Sequence, residues 1–151
     1  MDSKALAAQI ADCHLPAFDE AQAWQLGSLL VQMAQDAGHP IVINIRTANR
    51  TLFHAALPGS APLNDLWARR KSNTALLFAE PSFLVGTRNR EKGETLDRHG
   101  ISSADHADNG GAVPVFAGGC LAAVITVSGL PQADDHALVM QAILAIRATH
   151  A

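Results

Sequence analysis

From Cys120 to Val127 the chain reads CLAAVITV, and both alternating sets of side chains are apolar or small: Leu121, Ala123, Ile125 and Val127 on one side, Ala122, Val124 and Thr126 on the other. A strand with one solvated face alternates apolar with polar residues, so a strand of this kind is covered on both faces and sits near the middle of its sheet. Its alanines let a helix approach closely. Ala117-Gly118-Gly119 joins it to a preceding strand, Ala112 to Phe116, and glycine permits turn angles that a Cβ would oppose. The two form a hairpin.

The rest of the chain is arranged around that pair. Residues 19–37 place Leu26, Leu30, Met33, Ala34 and Ala37 on one face of a helix. Asp19 can cap its start, and Gly38 and Pro40 end it. IVINIRT (41–47) and RTLFHAAL (50–57) flank Ala48-Asn49 as a second antiparallel pair. Ser60 and Pro62 open a helix over 62–79, in which Leu63, Leu66, Trp67, Thr74, Leu77 and Phe78 recur at helical spacing until Glu80-Pro81 stops it. A short apolar piece, Phe83 to Val85, leads into a long polar stretch with a short helix expected around Arg90 to Leu96; loops of such length are functional or mobile. Ser128-Gly129-Leu130-Pro131 turns into a last helix over 132–149, with Asp134 and Asp135 placed to favour its dipole. Helices before, between and after antiparallel hairpins define an α+β domain with helices on both faces of one sheet, and the 151 residues form one domain, 1–151.

Several function classes are excluded or disfavoured. Eleven Lys and Arg against fourteen Asp and Glu give a net charge of −3, without the basic excess that phosphate-backbone binding needs, so nucleic acid is not an expected partner. No apolar run approaches the ~20 residues of a membrane span, and Lys4, Gln9, Asp12 and His14 interrupt the N-terminal segment where a signal-peptide core would lie. A cytoplasmic protein with no membrane partner is expected. Cys13 and Cys120 are far apart and without CxxC spacing, which rules out a thiolate zinc site. There is no Gly-rich nucleotide loop and no GxSxG elbow, so catalysis has no positive signal.

Asn64-Asp65-x-Trp67-x-x-Arg70-Lys71, then Phe78, then Gly110-Gly111-Ala112-x-Pro114-Val115, and finally Val127-Ser128-Gly129-Leu130-Pro131-Gln132 with Asp134-Asp135-His136, resemble the HbpS-like or GlcG-like family, often labelled the haem-degrading domain. The likeness spans about Asp19 to Ala148 and is strongest to a branch of small stand-alone proteins of unassigned activity. It implies a profilin-like antiparallel sheet of about five strands between helical layers, and a homo-oligomer. Relatives include haem-binding sensor components, domains fused to corrinoid adenosyltransferases, and proteins encoded beside glycolate metabolism, so the fold alone selects no single role. In that branch a His commonly precedes the Gly-Gly pair; here the place is taken by Asn109, which weakens any proposal of a base or metal ligand there.

Candidate ligand-binding residues are Trp67, Arg70, Lys71, His106, Asn109, Gly110 and Gly111. Arg70 and Lys71 could grip a carboxylate such as a porphyrin propionate from two sides, although a solvated helix face is the commoner use of such residues. His106 is the candidate haem ligand, against the usual reading of a loop histidine as solvated. Gly110 and Gly111 follow the long polar loop, where sites gather, so a bulky residue at Gly111 is expected to block a ligand with little change in melting temperature. Ser128-Gly129 is an anion site only if Asp134 and Asp135 do not repel the anion, and the two are read as helix-capping groups. Three readings follow. The first is a cytoplasmic homo-oligomer that binds a small molecule, with haem or another tetrapyrrole as the candidate cofactor. The second is an oligomeric scaffold or interaction module beside the chaperone machinery, and the third an enzyme of unknown reaction.

Overall fold

The computed structural model describes residues 1–149. α1 (Ser3–Ala8) and a 3-10 turn lead to the two-residue β1 (His14–Leu15). α2 (Glu20–Ala37) starts where Asp19 Oδ1 accepts the amides of Ala21 and Gln22, at 2.8 and 3.3 Å, while Gln22 Oε1 accepts Asp19 N at 2.9 Å. This reciprocal box satisfies donors that the helix itself cannot. β2 (Val42–Arg46) and β3 (Thr51–Ala56) form one hairpin, and β4 (Ala112–Ala117) and β5 (Cys120–Ser128) another. Between them lie α3 (Pro62–Phe78) and α4 (Ser82–Lys92), and α5 (Gln132–Thr149) closes the fold.

The sheet order is β1-β4-β5-β2-β3, so β5 lies at the centre. All pairs are antiparallel except β1 with β4, which run parallel through His14 beside Phe116 and Leu15 beside Ala117. The sheet is therefore mixed rather than wholly antiparallel. The His14 ring stacks on Phe116 at 4.9 Å, which helps to hold so short an edge strand.

Alternation along the strands sorts two different layers. Ile43, Ile45, Val113, Val115, Ile125 and Val127 point to the side covered by α2 and α5, where Leu26, Leu30, Val139 and Ile143 are fully buried against them. This is the apolar core, and burial of each large side chain contributes about 1.5–3 kcal/mol. The opposite face carries Asn44, Arg46, Val124, Thr126 and Ser128, and α3 lies on it. Ala75 of α3 packs there on Ala112 and Val124, the close approach that small residues allow.

α3 presents its other side than the leucine spacing suggests. Leu63, Leu66 and Leu77 are more than half exposed, and the buried side consists of Ala68, Lys71, Ser72, Thr74 and Ala75. The polar stretch also differs from expectation. α4 begins at Ser82, and its buried side mixes Leu84 and Val85 with polar groups: Ser82 Oγ accepts Ala112 N at 3.1 Å, and Asn89 Nδ2 donates to Asp108 Oδ2 at 2.9 Å. The following loop is tied to α3, because Asn73 Nδ2 donates to Asp105 O at 2.7 Å and Arg70 holds Ser103 O.

The two Gly-Gly pairs have different duties. Gly118 and Gly119 take φ of 59° and 79° in the β4–β5 turn with open space around each missing Cβ. Gly111 has φ of 135°, and a Cβ there would collide with Val127 O and come within 2.5 Å of Lys71 Nζ. The expectation that Gly111 tolerates a side chain therefore fails. Gly119→Val should cost about 1–3 kcal/mol from backbone strain alone, and Gly111→Val, which adds a collision to the strain, should melt at a clearly lower temperature; thermal denaturation of both variants checks the order.

Candidate functional site

α3 carries Asn64, Trp67 and Lys71 on one side, at spacings of three and four residues, so they stand in a row along the helix. Opposite them come Asn109 and Gly110 ahead of β4, Ser128 to Leu130 at the end of β5, and Gln132 and Asp135 in the first turns of α5. Together they line a cleft of 260 Å³.

The floor of the cleft is an ion pair. Lys71 is 3% exposed, and its Nζ donates to Val127 O at 2.7 Å, Gly110 O at 3.0 Å and Asp135 Oδ2 at 3.1 Å. Asp135 in turn accepts Leu130 N on Oδ1 at 2.9 Å and Gly129 N on Oδ2 at 3.4 Å. An ammonium has three protons, and each has a partner. Burial pushes the Lys71 ammonium below its ordinary range, with Asp135 opposing; burial likewise pushes the Asp135 carboxyl up, against Lys71 and the two amides. The number of satisfied hydrogen bonds is what keeps such a pair tolerable away from water.

The walls are made of carboxamides and one indole. Gln132 Oε1 accepts Gly110 N at 3.0 Å and Asn64 Oδ1 accepts Ala61 N at 2.9 Å, so both oxygens are engaged and both NH2 groups are left for the cleft. The guanidinium of Arg70 lies 4.4 Å from the Trp67 ring centre, a cation–π contact.

Of the candidates, Trp67, Lys71, Asn109 and Gly110 meet in this cleft. Arg70 does not join Lys71 in a common grip, because consecutive helix residues point in different directions. Its Nη2 and Nε donate instead to Ser103 O at 2.7 and 3.1 Å, with His106 O at 3.5 Å from Nη2. His106 turns its Nδ1 to Ser102 O at 3.1 Å and borders a separate hollow with Asn73 and Leu77. Gly111 stands behind Lys71 rather than on the wall. Asp135 does more than cap α5. Asn64, Gln132 and Asp135 were not among the candidates, and Ser128 was weighed only as an anion site; all four stood within the motif stretches, and it is the fold that draws those stretches together. Among the described residues no three His, Cys, Asp or Glu side chains are grouped to hold a metal ion.

Beside Asp135, His136 is buried, and its Nε2 lies 2.7 Å from Gln9 Oε1 while Nδ1 has no partner among the described residues. Burial lowers its pKa from 6.5 to about 4.

Two experiments follow. Removing one member of the buried pair strands the other, so Lys71→Met should lower unfolding free energy by about 3–5 kcal/mol, with part recovered when Asp135→Asn is added; urea denaturation of the wild type and the two variants measures it. For His136, the unfolded chain takes up a proton near pH 6.5 and the native protein only near pH 4. Its contribution is thus intact above about pH 6.5 and declines between pH 6.5 and pH 4, by about 3 kcal/mol in all. His136→Gln should show the shallower loss of stability when both proteins are unfolded at pH 7 and pH 4.5.

Comparison with known proteins places this arrangement. A family model described as "Haem degrading protein HbpS-like" matches residues 18–144. A UPF0303 protein of Burkholderia thailandensis is 44% identical over 147 residues, covering 96% of this chain and 89% of the relative. Among solved structures, that of the Ybr137w protein superposes with a TM-score of 0.89 at 28% identity, covering 97% of this chain and 88% of the other. The complex of PduOC with haem superposes with a TM-score of 0.72 at 20% identity, covering 86% and 94%, a likeness of fold.

Proposed function

The chain belongs to the HbpS-like family, and from that premise we propose that it is a cytoplasmic, self-associating protein that binds a small polar molecule in the cleft above Lys71 and Asp135. The observation that carries this reading is the chemistry of the cleft wall. With the oxygens of Asn64 and Gln132 engaged and the Lys71 protons fully used, the groups left over are mainly carboxamide NH2 donors beside the Trp67 ring. Such a wall suits a small molecule rich in acceptor oxygens with one flat or apolar side.

Haem is the ligand that the family description and the PduOC complex name. The cleft does not fit it. None of the lining residues is a His, Met, Cys or Tyr that could ligate iron, and 260 Å³ is below the ~300–1,000 Å³ of ordinary ligand sites. A haem would have to seat elsewhere on the protein, and Arg70 and Lys71 would not hold its propionates together there. Self-association is supported by the outward row of Leu63, Leu66 and Leu77 on α3, since exposed apolar surface of this kind marks contact sites. The cytoplasmic part is supported by the two free thiols, and no helix among the described residues is long and apolar enough to cross a membrane.

Native mass spectrometry of freshly purified protein reads the assembly and its cargo together. A multiple of the chain mass plus a small-molecule excess is expected, with the excess lost in Gln132→Ala and Asn109→Ala while the assembly persists. A bare assembly whose melting temperature no metabolite in a panel raises would remove the ligand and favour the scaffold reading. Titration with haem, followed in the Soret band, decides separately whether a tetrapyrrole binds outside the cleft.

A further inference from the structure

The polar layer under α3 contains a second site, independent of the cleft above Lys71. β2 directs Asn44 and Arg46 toward α3, β3 brings His54 alongside, and α3 contributes Asp65 and Arg69; with Thr51 these line a cavity of 310 Å³. Arg46 is 5% exposed. Its Nη1 donates to Ser72 Oγ at 2.6 Å and to Asn73 Oδ1 at 2.9 Å, both neutral, and among the described residues no carboxylate pairs with it. Its Nε and Nη2 have no hydrogen-bond partner among those residues. Arg69, also without an ion pair, is near enough for its charge to weigh against the Arg46 cation, after the larger effect of burial.

A buried cation is ordinarily matched by a carboxylate or a bound anion, because desolvation otherwise disfavours it. Among the described residues the only carboxylate on the cavity wall is Asp65, and it is turned to His54, with Oδ1 2.9 Å from Nε2. Two guanidiniums therefore stand against one occupied carboxylate, and the cavity carries net positive charge. Asn44 adds a further unmet need: its Nδ2 is 3.1 Å from His54 Nδ1, while its Oδ1 is buried with no donor.

We propose that this cavity binds a small oxyanion, a phosphate or carboxylate group held between Arg46 and Arg69. Guanidinium forks match the planar oxygen pairs of such groups. A hydrogen phosphate carries more charge than one carboxylate to set against the two guanidiniums, so phosphate is the preferred form.

Isothermal titration with inorganic phosphate and with succinate, at ionic strength held constant with chloride, tests the site. Saturable binding of phosphate, alone or more tightly than succinate, is expected. Binding of succinate alone would keep the oxyanion site and assign it to a carboxylate ligand. Arg69→Gln changes an exposed side chain and should leave the melting temperature of the ligand-free protein unchanged, yet weaken the anion by about ten-fold or more. Asn109→Ala, in the other cleft, should leave anion affinity as it was; a loss there would move the anion to that cleft and overturn the proposal. No saturable heat with either probe, or an Arg69→Gln protein that binds as the wild type does, would also overturn it.

Discussion

One ammonium group holds the functional side of this protein together. Lys71 reaches from α3 to the approach of β4, to the end of β5 and to the beginning of α5, and it does so from a position with almost no solvent. A hydrophobic contact could hold those four pieces near one another, but it would not fix their register. Three directed hydrogen bonds from a single nitrogen do, since each carbonyl or carboxylate must present its oxygen at the correct angle. Gly111 belongs to the same device, because Nζ occupies the space where its Cβ would stand. The cleft walls are then simply the edges of what Lys71 has assembled.

The division of labour between the two faces of the sheet follows from this. Under α2 and α5 the strands contribute Ile and Val, and stability comes from burying them. Under α3 the same strands contribute Asn44, Arg46, Thr126 and Ser128, and hydrogen bonds and charges there surround the small apolar contact of Ala75 with Ala112 and Val124. Thr126 Oγ1 and Asn44 Oδ1 are buried on that side without partners. A layer so costly to assemble is a poor choice for mere stability. Both candidate sites lie in it, at opposite flanks of one helix.

Much of the architecture could be read from residue order. The doubly apolar strand Cys120 to Val127 announced its central position, and Asp19 with Gly38 marked the bounds of α2, because each is a local signal with a local cause. β1 escaped notice since two residues carry no period, and α4 since beyond the short apolar piece at Leu84 and Val85 its buried side is Gly86, Thr87 and Asn89, which show no apolar period. α3 was legible as a helix but not in its orientation: its large leucines face outward, and burial follows the small residues Ala68, Ser72 and Ala75. Lys71 lies on that small-residue side, three places after Ala68 and four before Ala75. This was the available sign that the lysine is inside, and it is masked by the strong expectation that charged helix residues are solvated. The cleft itself joins segments some forty and sixty residues apart, which no local pattern reports.

The lock around Lys71 also limits how the protein can change over time. Lys71, Gly111 and Asp135 are far apart along the chain, yet they constrain one another: a side chain at position 111 would meet Lys71 Nζ as well as Val127 O, and a shorter residue at 71 strands the carboxylate at 135. A single change at any of the three therefore costs stability before a second can compensate. Of the cleft walls, Asn109 carries no such lock, whereas Asn64 and Gln132 also hold Ala61 N and Gly110 N, so a change of ligand meets least resistance at Asn109 while the floor stays as it is.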